Sequence, residues 1–163
     1  MQISQVVINA SPLITLFKSH QAHLLPALFP DIIIPTTVWT EVIRAGSADI
    51  AAQQLPTMPW ATPTPIDLAP EVLAWGIDPG ESAVLSFALR HPTYRAVLDD
   101  AAARRCARTL GIRVLGTCGV LVLAKQRGII TSVTPGISAL QSAGLYLSES
   151  LIQQIKLQAG EDP

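Results

Sequence analysis

The apolar residues of this chain fall into two alternating patterns. Gln5–Ile8, Asp31–Ile34, Arg95–Leu98 and Ile112–Leu115 are short runs in which most positions are apolar. Runs of this kind predict strands buried on both faces, as in a parallel sheet. Between them, apolar residues recur at helical spacing, as at Leu13, Leu16 and Phe17. Helix boundaries are marked by polar caps, prolines and glycines. Ser11-Pro12 reads as a cap and first helical residue. Thr36 or Thr37 caps a helix over residues 38–45, with Gly46 just beyond it. Asp78-Pro79-Gly80-Glu81 opens a helix that runs to Leu89. Further helices are expected over residues 101–110, 118–126, 135–143 and 149–158. Residues 129–133 read as an edge strand or an extended link, and the tail from Gly160 reads as frayed.

Residues 47–79 break this rhythm. Six of the 13 prolines lie there, so the stretch reads as a connection with short helices over residues 48–54 and 70–74 and an extended piece near Ile66. Trp60 and Trp75 are expected to cover the edge of the core. The element order is strand–helix twice, the proline-rich insert with a helix, strand–helix twice again, and two closing helices. That order predicts an α/β fold: a central, mostly parallel sheet of four or five strands with helices on both faces. Residues 1–163 suffice for one domain.

Composition narrows the class. With 49% hydrophobic and 14% charged residues, the chain is not a disordered one. No apolar run approaches the ~18 residues of a membrane span, and no signal peptide pattern opens the sequence. Cys106 and Cys118 fit neither a disulfide scaffold nor a zinc motif. The expectation is a reduced, cytoplasmic protein that does not enter a membrane. A net charge of −1 says nothing about partners. Its distribution does. Residues 90–127 carry eight basic and two acidic residues, whereas acids outnumber bases ten to three elsewhere. A local excess of arginine suits phosphate contact; a solvated basic face on the two helices involved is the equal alternative.

Ligand chemistry in parallel sheets sits beyond the carboxyl ends of the strands. Asn9 ends the first strand, and Glu41 lies in the helix after the second. Glu81 opens the helix before the third strand, Asp99 and Asp100 end that strand, and Thr117 follows the fourth. Each has a plain structural explanation alone: a turn residue, a surface glutamate, a charge favoured by a helix N-terminus, a cap. Together they place several carboxylates on one edge with no Cys or His set. Such clusters suit hard cations such as Mg²⁺ or Mn²⁺, which relieve the mutual repulsion. The chemistry that goes with them is displacement at phosphorus. Adjacent residues at a strand end point to opposite sides, so one of Asp99 and Asp100 is expected to hold metal. The other should cap the next helix or brace an arginine.

VVINASPLI, the Thr40-Glu41-Val42 triplet, PGESAVLSFAL and VLDDAAARRCARTLGIRVLGT occur in an order and spacing that resembles the PIN-domain superfamily. The nearest likeness is to a compact prokaryotic subgroup related to the VapC toxins of toxin–antitoxin modules. The resemblance spans Val6 to about Gly160. It implies a three-layer α/β/α sandwich and a metal-dependent endoribonuclease acting on single-stranded RNA. A small protein antitoxin and a second copy in a homodimer are the partners it implies. Carried over by position, Glu41, Glu81, Asp99 and Asp100 become the catalytic acids. The same four with Asn9 become the ligands of Mg²⁺ or Mn²⁺. Ser11, Arg104, Arg105, Arg108 and Thr117 become substrate contacts. Asn9 departs from the family, which most often has aspartate there. An amide oxygen still ligates a cation but adds no charge. The competing expectation is therefore a catalytically weak module that binds RNA or protein.

Overall fold

The computed structural model describes residues 2–162. The first apolar run forms β1 (Gln5–Ile8), with Val6, Val7 and Ile8 wholly buried. Helix α1 (Ala10–Lys18) follows at once, with Asn9 rather than Ser11 in the N-cap position. Pro12 still falls in the first turn, where its missing N–H leaves no helical bond unmade. Helix α2 (Leu24–Leu28) carries Pro26 in its own first turn. Then come β2 (Asp31–Pro35) and α3 (Thr36–Ile43).

The proline-rich stretch holds α4 (Ile50–Gln54), a 3₁₀ turn over Leu55–Thr57, β3 (Pro63–Thr64) and α5 (Pro70–Leu73). Asp49 caps α4 by accepting the Ala51 and Ala52 N–H groups. The extended piece expected near Ile66 is therefore a real strand, but three residues earlier. It lies at the sheet edge, the position where proline is tolerated in a strand. Helix α6 (Pro79–Arg90), β4 (Arg95–Val97), α7 (Ala101–Thr109), β5 (Val114–Leu115), α8 (Thr117–Gln126), α9 (Thr134–Ser142) and α10 (Glu149–Gln158) complete the chain. Residues 129–133 form a link and not a strand.

All four strand pairings are parallel, in the order β3-β2-β1-β4-β5. Helix α6 packs across β1, β2 and β4, and α8 packs against α2, α9 and α10. The sheet is the middle layer of an α/β/α sandwich. Its core includes Leu13, Leu16, Phe17, Leu85, Leu98 and Leu121, each nearly inaccessible to solvent. Trp60 stacks on Phe17 at 6.3 Å, as expected of a core-edge residue. Trp75 does not; it is 40% exposed.

The tail is also better held than its composition suggests. The Glu161 carboxylate accepts the Ser132 hydroxyl at 2.7 Å and the Val133 N–H at 2.8 Å, and it pairs with Lys125 at 3.2 Å. These bonds hold its carboxyl low, at about 2.

Candidate active site

The chain builds the sheet outward from β1 in one direction through β2 and β3, then returns to add β4 and β5 on the other side. The helices after β1 and β4 therefore leave in different directions. A crevice opens there, at the carboxyl ends of the strands. Asn9 stands on one wall of it. Its N–H still bonds Val97 C=O at 3.0 Å, which holds the two strand ends together. Asn9 occupies the N-cap of α1, yet its side chain makes no capping bond and is 7% exposed.

Gly80, in the first turn of α6, marks where the groups converge. A Cβ there would lie 3.3 Å from Glu41 Oε1, 3.4 Å from Asn9 Oδ1 and 3.5 Å from Asp78 Oδ1. Three oxygens, from α3, the end of β1 and the cap of α6, thus surround one bare α-carbon. Partial burial is the main influence that raises the Glu41 carboxyl above its ordinary pKa. The Asp78 charge adds to this, and Arg44 opposes it.

Glu81 follows in the same turn and is 7% exposed. Its Oε2 is buried and has no hydrogen-bond partner among the described residues. Burial first, then Asp78, then Asp100 push its carboxyl up to about 8. Both aspartates lie beside it. Burial, reinforced by its acidic neighbours, thus favours the protonated form of Glu81 near neutral pH.

Those neighbours are fixed by the helices they cap. Asp78 Oδ1 accepts the Glu81 N–H at 2.8 Å, and Asp100 Oδ2 accepts the Ala103 N–H at 3.0 Å. Each carboxylate ties one oxygen to a helix N-terminus and leaves the other for the crevice. The N-termini of α1, α6 and α7, with Asn9, Asp78 and Asp100 in their N-cap positions, all open toward this place. Their dipoles favour negative charge there.

Asp78 was legible in the sequence only as punctuation of α6; the signal that it also belongs to the edge is its place directly before Pro79-Gly80-Glu81. Asp99 goes the other way. Its carboxylate accepts the Thr117 N–H at 2.9 Å and the Thr117 hydroxyl at 2.5 Å. Thr117 is wholly buried, so it braces the edge from within and offers no surface to a substrate.

Of the expected arginines, Arg104 donates its Nε–H to Leu98 C=O at 3.3 Å and is partly buried. Arg105, Arg108 and Ser11 are exposed. A groove of ≈ 600 Å³ lies beside the acidic edge, between Asp99 and Arg104 on one side and Tyr146 and Leu151 on the other. It does not include Glu41, Glu81 or Asp100, so this groove and the acidic cluster are neighbours and not the same place. Among the described residues, no three His, Cys, Asp or Glu groups are already gathered as a metal site.

Comparison with protein families matches residues 5–161 to the family described as the PIN domain. The chain belongs to the PIN-domain family. Members of this family are in general nucleases and typically use divalent metal ions. The comparisons with curated proteins and with solved structures find no match. No helix among the described residues is long and apolar enough to cross a membrane.

Proposed function

We propose that this PIN domain is an endoribonuclease that requires Mg²⁺ or Mn²⁺, cleaves single-stranded RNA, and acts as the toxin of a toxin–antitoxin pair whose small protein partner blocks the acidic edge. The observation that carries the nuclease reading is Glu81: a buried carboxylate with an unpartnered oxygen, pressed between Asp78 and Asp100. Such an arrangement is unfavourable unless a proton or a cation relieves it. The donors are all oxygens, which suits a hard divalent ion. Asn9, Glu41, Asp78, Glu81 and Asp100 are the residues that would hold it.

When bound, the ion would supply positive charge for the scissile phosphate and acidify a water for attack. The chain supplies the rest. Asp78 and Asp100 present their second oxygens from fixed helix caps, so little side-chain order has to be created on binding. The three helix N-termini draw a phosphate toward the edge. Arg105 and Arg108, exposed on α7, hold the flanking backbone. Asp99 is a positioning residue in this scheme, acting through Thr117. Asn9 keeps the cluster at four carboxylates, which favours a single ion.

The second reading, a binding module without cleavage, draws on the absence of a gathered metal site among the described residues. Cleavage of a fluorescent single-stranded RNA separates the two. The enzyme reading expects Mn²⁺-dependent cleavage that falls at least about tenfold in Glu41→Gln and Asp100→Asn. RNA binding without cleavage at any Mn²⁺ concentration would favour the module.

A further inference from the structure

At the opposite end of the sheet, two arginines stand side by side with no acidic partner among the described residues. Ala96 pairs with Val114 and Val97 with Leu115, and the Ala96 N–H donates to Arg113 C=O at 2.9 Å. One step back along that register, Arg95 falls opposite Arg113 on the same face of strands about 4.8 Å apart. Like charges so placed are destabilising. Partial burial first and the Arg113 charge second hold Arg95 below its ordinary pKa. Even so, a guanidinium stays charged in a protein.

The protein offers these charges no relief. The ion pairs among the described residues are Lys18–Asp49 and Lys125–Glu161. The acid at this end, Asp31, is engaged by the Tyr94 hydroxyl and by the Gln5 amide at 3.2 Å. Other arginines are tied to backbone carbonyls, as Arg127 is to Leu28 and Ile3 and Arg104 to Leu98. Arg95 and Arg113 instead line a cavity of ≈ 170 Å³ with Ser4, Gln5 and Thr93. Its wall therefore combines two cationic forks with hydroxyl and amide donors. It is smaller than the roughly 300 Å³ at which pockets for drug-sized ligands begin, so it suits one small group and not a whole nucleotide.

The geometry points to an oxyanion site at this end of the sheet, in which Arg95 and Arg113 grip a phosphate group with help from Ser4 and Thr93. Guanidinium forks match phosphate oxygens and are strengthened by the charge. The site lies at the other end of β4 from Asp100, so it stands or falls independently of the nuclease reading. Two sources share the chemistry: free inorganic phosphate and the phosphodiester backbone of RNA.

Thermal melts of the full chain in EDTA test it, with added inorganic phosphate, and with sodium chloride at matched ionic strength as control. Phosphate should raise Tm saturably where chloride does not. Arg95→Gln and Arg113→Gln should each weaken the response about tenfold, the loss of one charge-assisted bond. Arg113→Gln, at an exposed position, should melt no lower than the wild type without phosphate, because it removes a like charge. A short single-stranded RNA that competes with phosphate assigns the site to the RNA backbone; one that does not assigns it to free phosphate. A wild-type response no larger than that of chloride, or one unchanged in both variants, would overturn the proposal.

Discussion

Replacing Glu81 with glutamine should make the metal-free protein more stable at alkaline pH and deaf to metal. In the wild type, the Glu81 carboxyl is raised to about 8 from an ordinary 4.5. Its folded form therefore binds more protons than its unfolded form between those values. The stability associated with that proton is fully present below about 4.5 and is lost as pH rises through about 8. Taken at face value, a shift of this size corresponds to several kcal/mol. Asp78 and Asp100 are exposed, however, and solvent screening reduces the cost of the charged form to about 1–2 kcal/mol. A glutamine amide never ionises and donates to Asp78 or Asp100, removing that cost. In a domain of this size the gain is roughly 2–8 °C in Tm at pH 9, shrinking toward zero at pH 4.5.

On the proposed reading a divalent ion would replace the proton, so Mg²⁺ should stabilise the wild type more at pH 8.5 than at pH 5.5 and should leave Glu81→Gln unmoved. Thermal melts in EDTA and in MgCl₂ across this pH range measure both effects. A variant that melts below the wild type at pH 9 without metal would refute the reasoning. So would a wild type whose metal-free stability is flat from pH 4.5 to 9.

Three further outcomes follow from neighbouring groups. Gly80→Ala should raise metal-free stability by up to about 1 kcal/mol, since alanine suits a helix better, but its methyl would crowd Glu41 Oε1 at 3.3 Å and Asn9 Oδ1 at 3.4 Å; isothermal titration should therefore show weaker Mn²⁺ binding. Asp99→Ala removes the acceptor of two bonds from buried Thr117 and should cost about 2–3 kcal/mol in urea unfolding, with the Mg²⁺ response of the folded protein retained. Glu161 is held low, at about 2, by Ser132, Val133 and Lys125; its contribution is present above pH 4.5 and lost as pH falls toward 2, so Glu161→Gln should flatten the acid limb of the stability curve and speed hydrogen exchange at the Val133 N–H.

Much of this architecture is legible in the sequence because β1 and β4 are buried on both faces and β2, half-buried at Ile32 and Ile33, is still almost wholly apolar. β3 and α2 were hidden for the opposite reason. Each is short and contains a proline, Pro63 or Pro26, and is tolerated only because it lies at a sheet edge or falls within a helix's first turn. The tail reads as frayed because a single, largely covered glutamate carries its anchorage, through partners about 30 residues away whose position no local pattern reveals. At the acidic edge, the sequence brings Asn9, Glu41, Glu81 and Asp100 to one place but does not separate Asp100 from Asp99. That depends on which way each side chain turns, and the Thr117 N–H and hydroxyl together settle the direction of Asp99. Asp78 escaped notice because a capping role already accounted for it. A cap that stands at a crevice serves two groups at once.

The most direct test of the account is Mn²⁺-dependent cleavage of a single-stranded RNA by the wild type and by Glu81→Gln, with folding of both checked by their melts. The account predicts cleavage that needs Mn²⁺ in the wild type and falls at least about tenfold in the folded variant. Undiminished cleavage by Glu81→Gln, or wild-type cleavage that persists in EDTA, would contradict it.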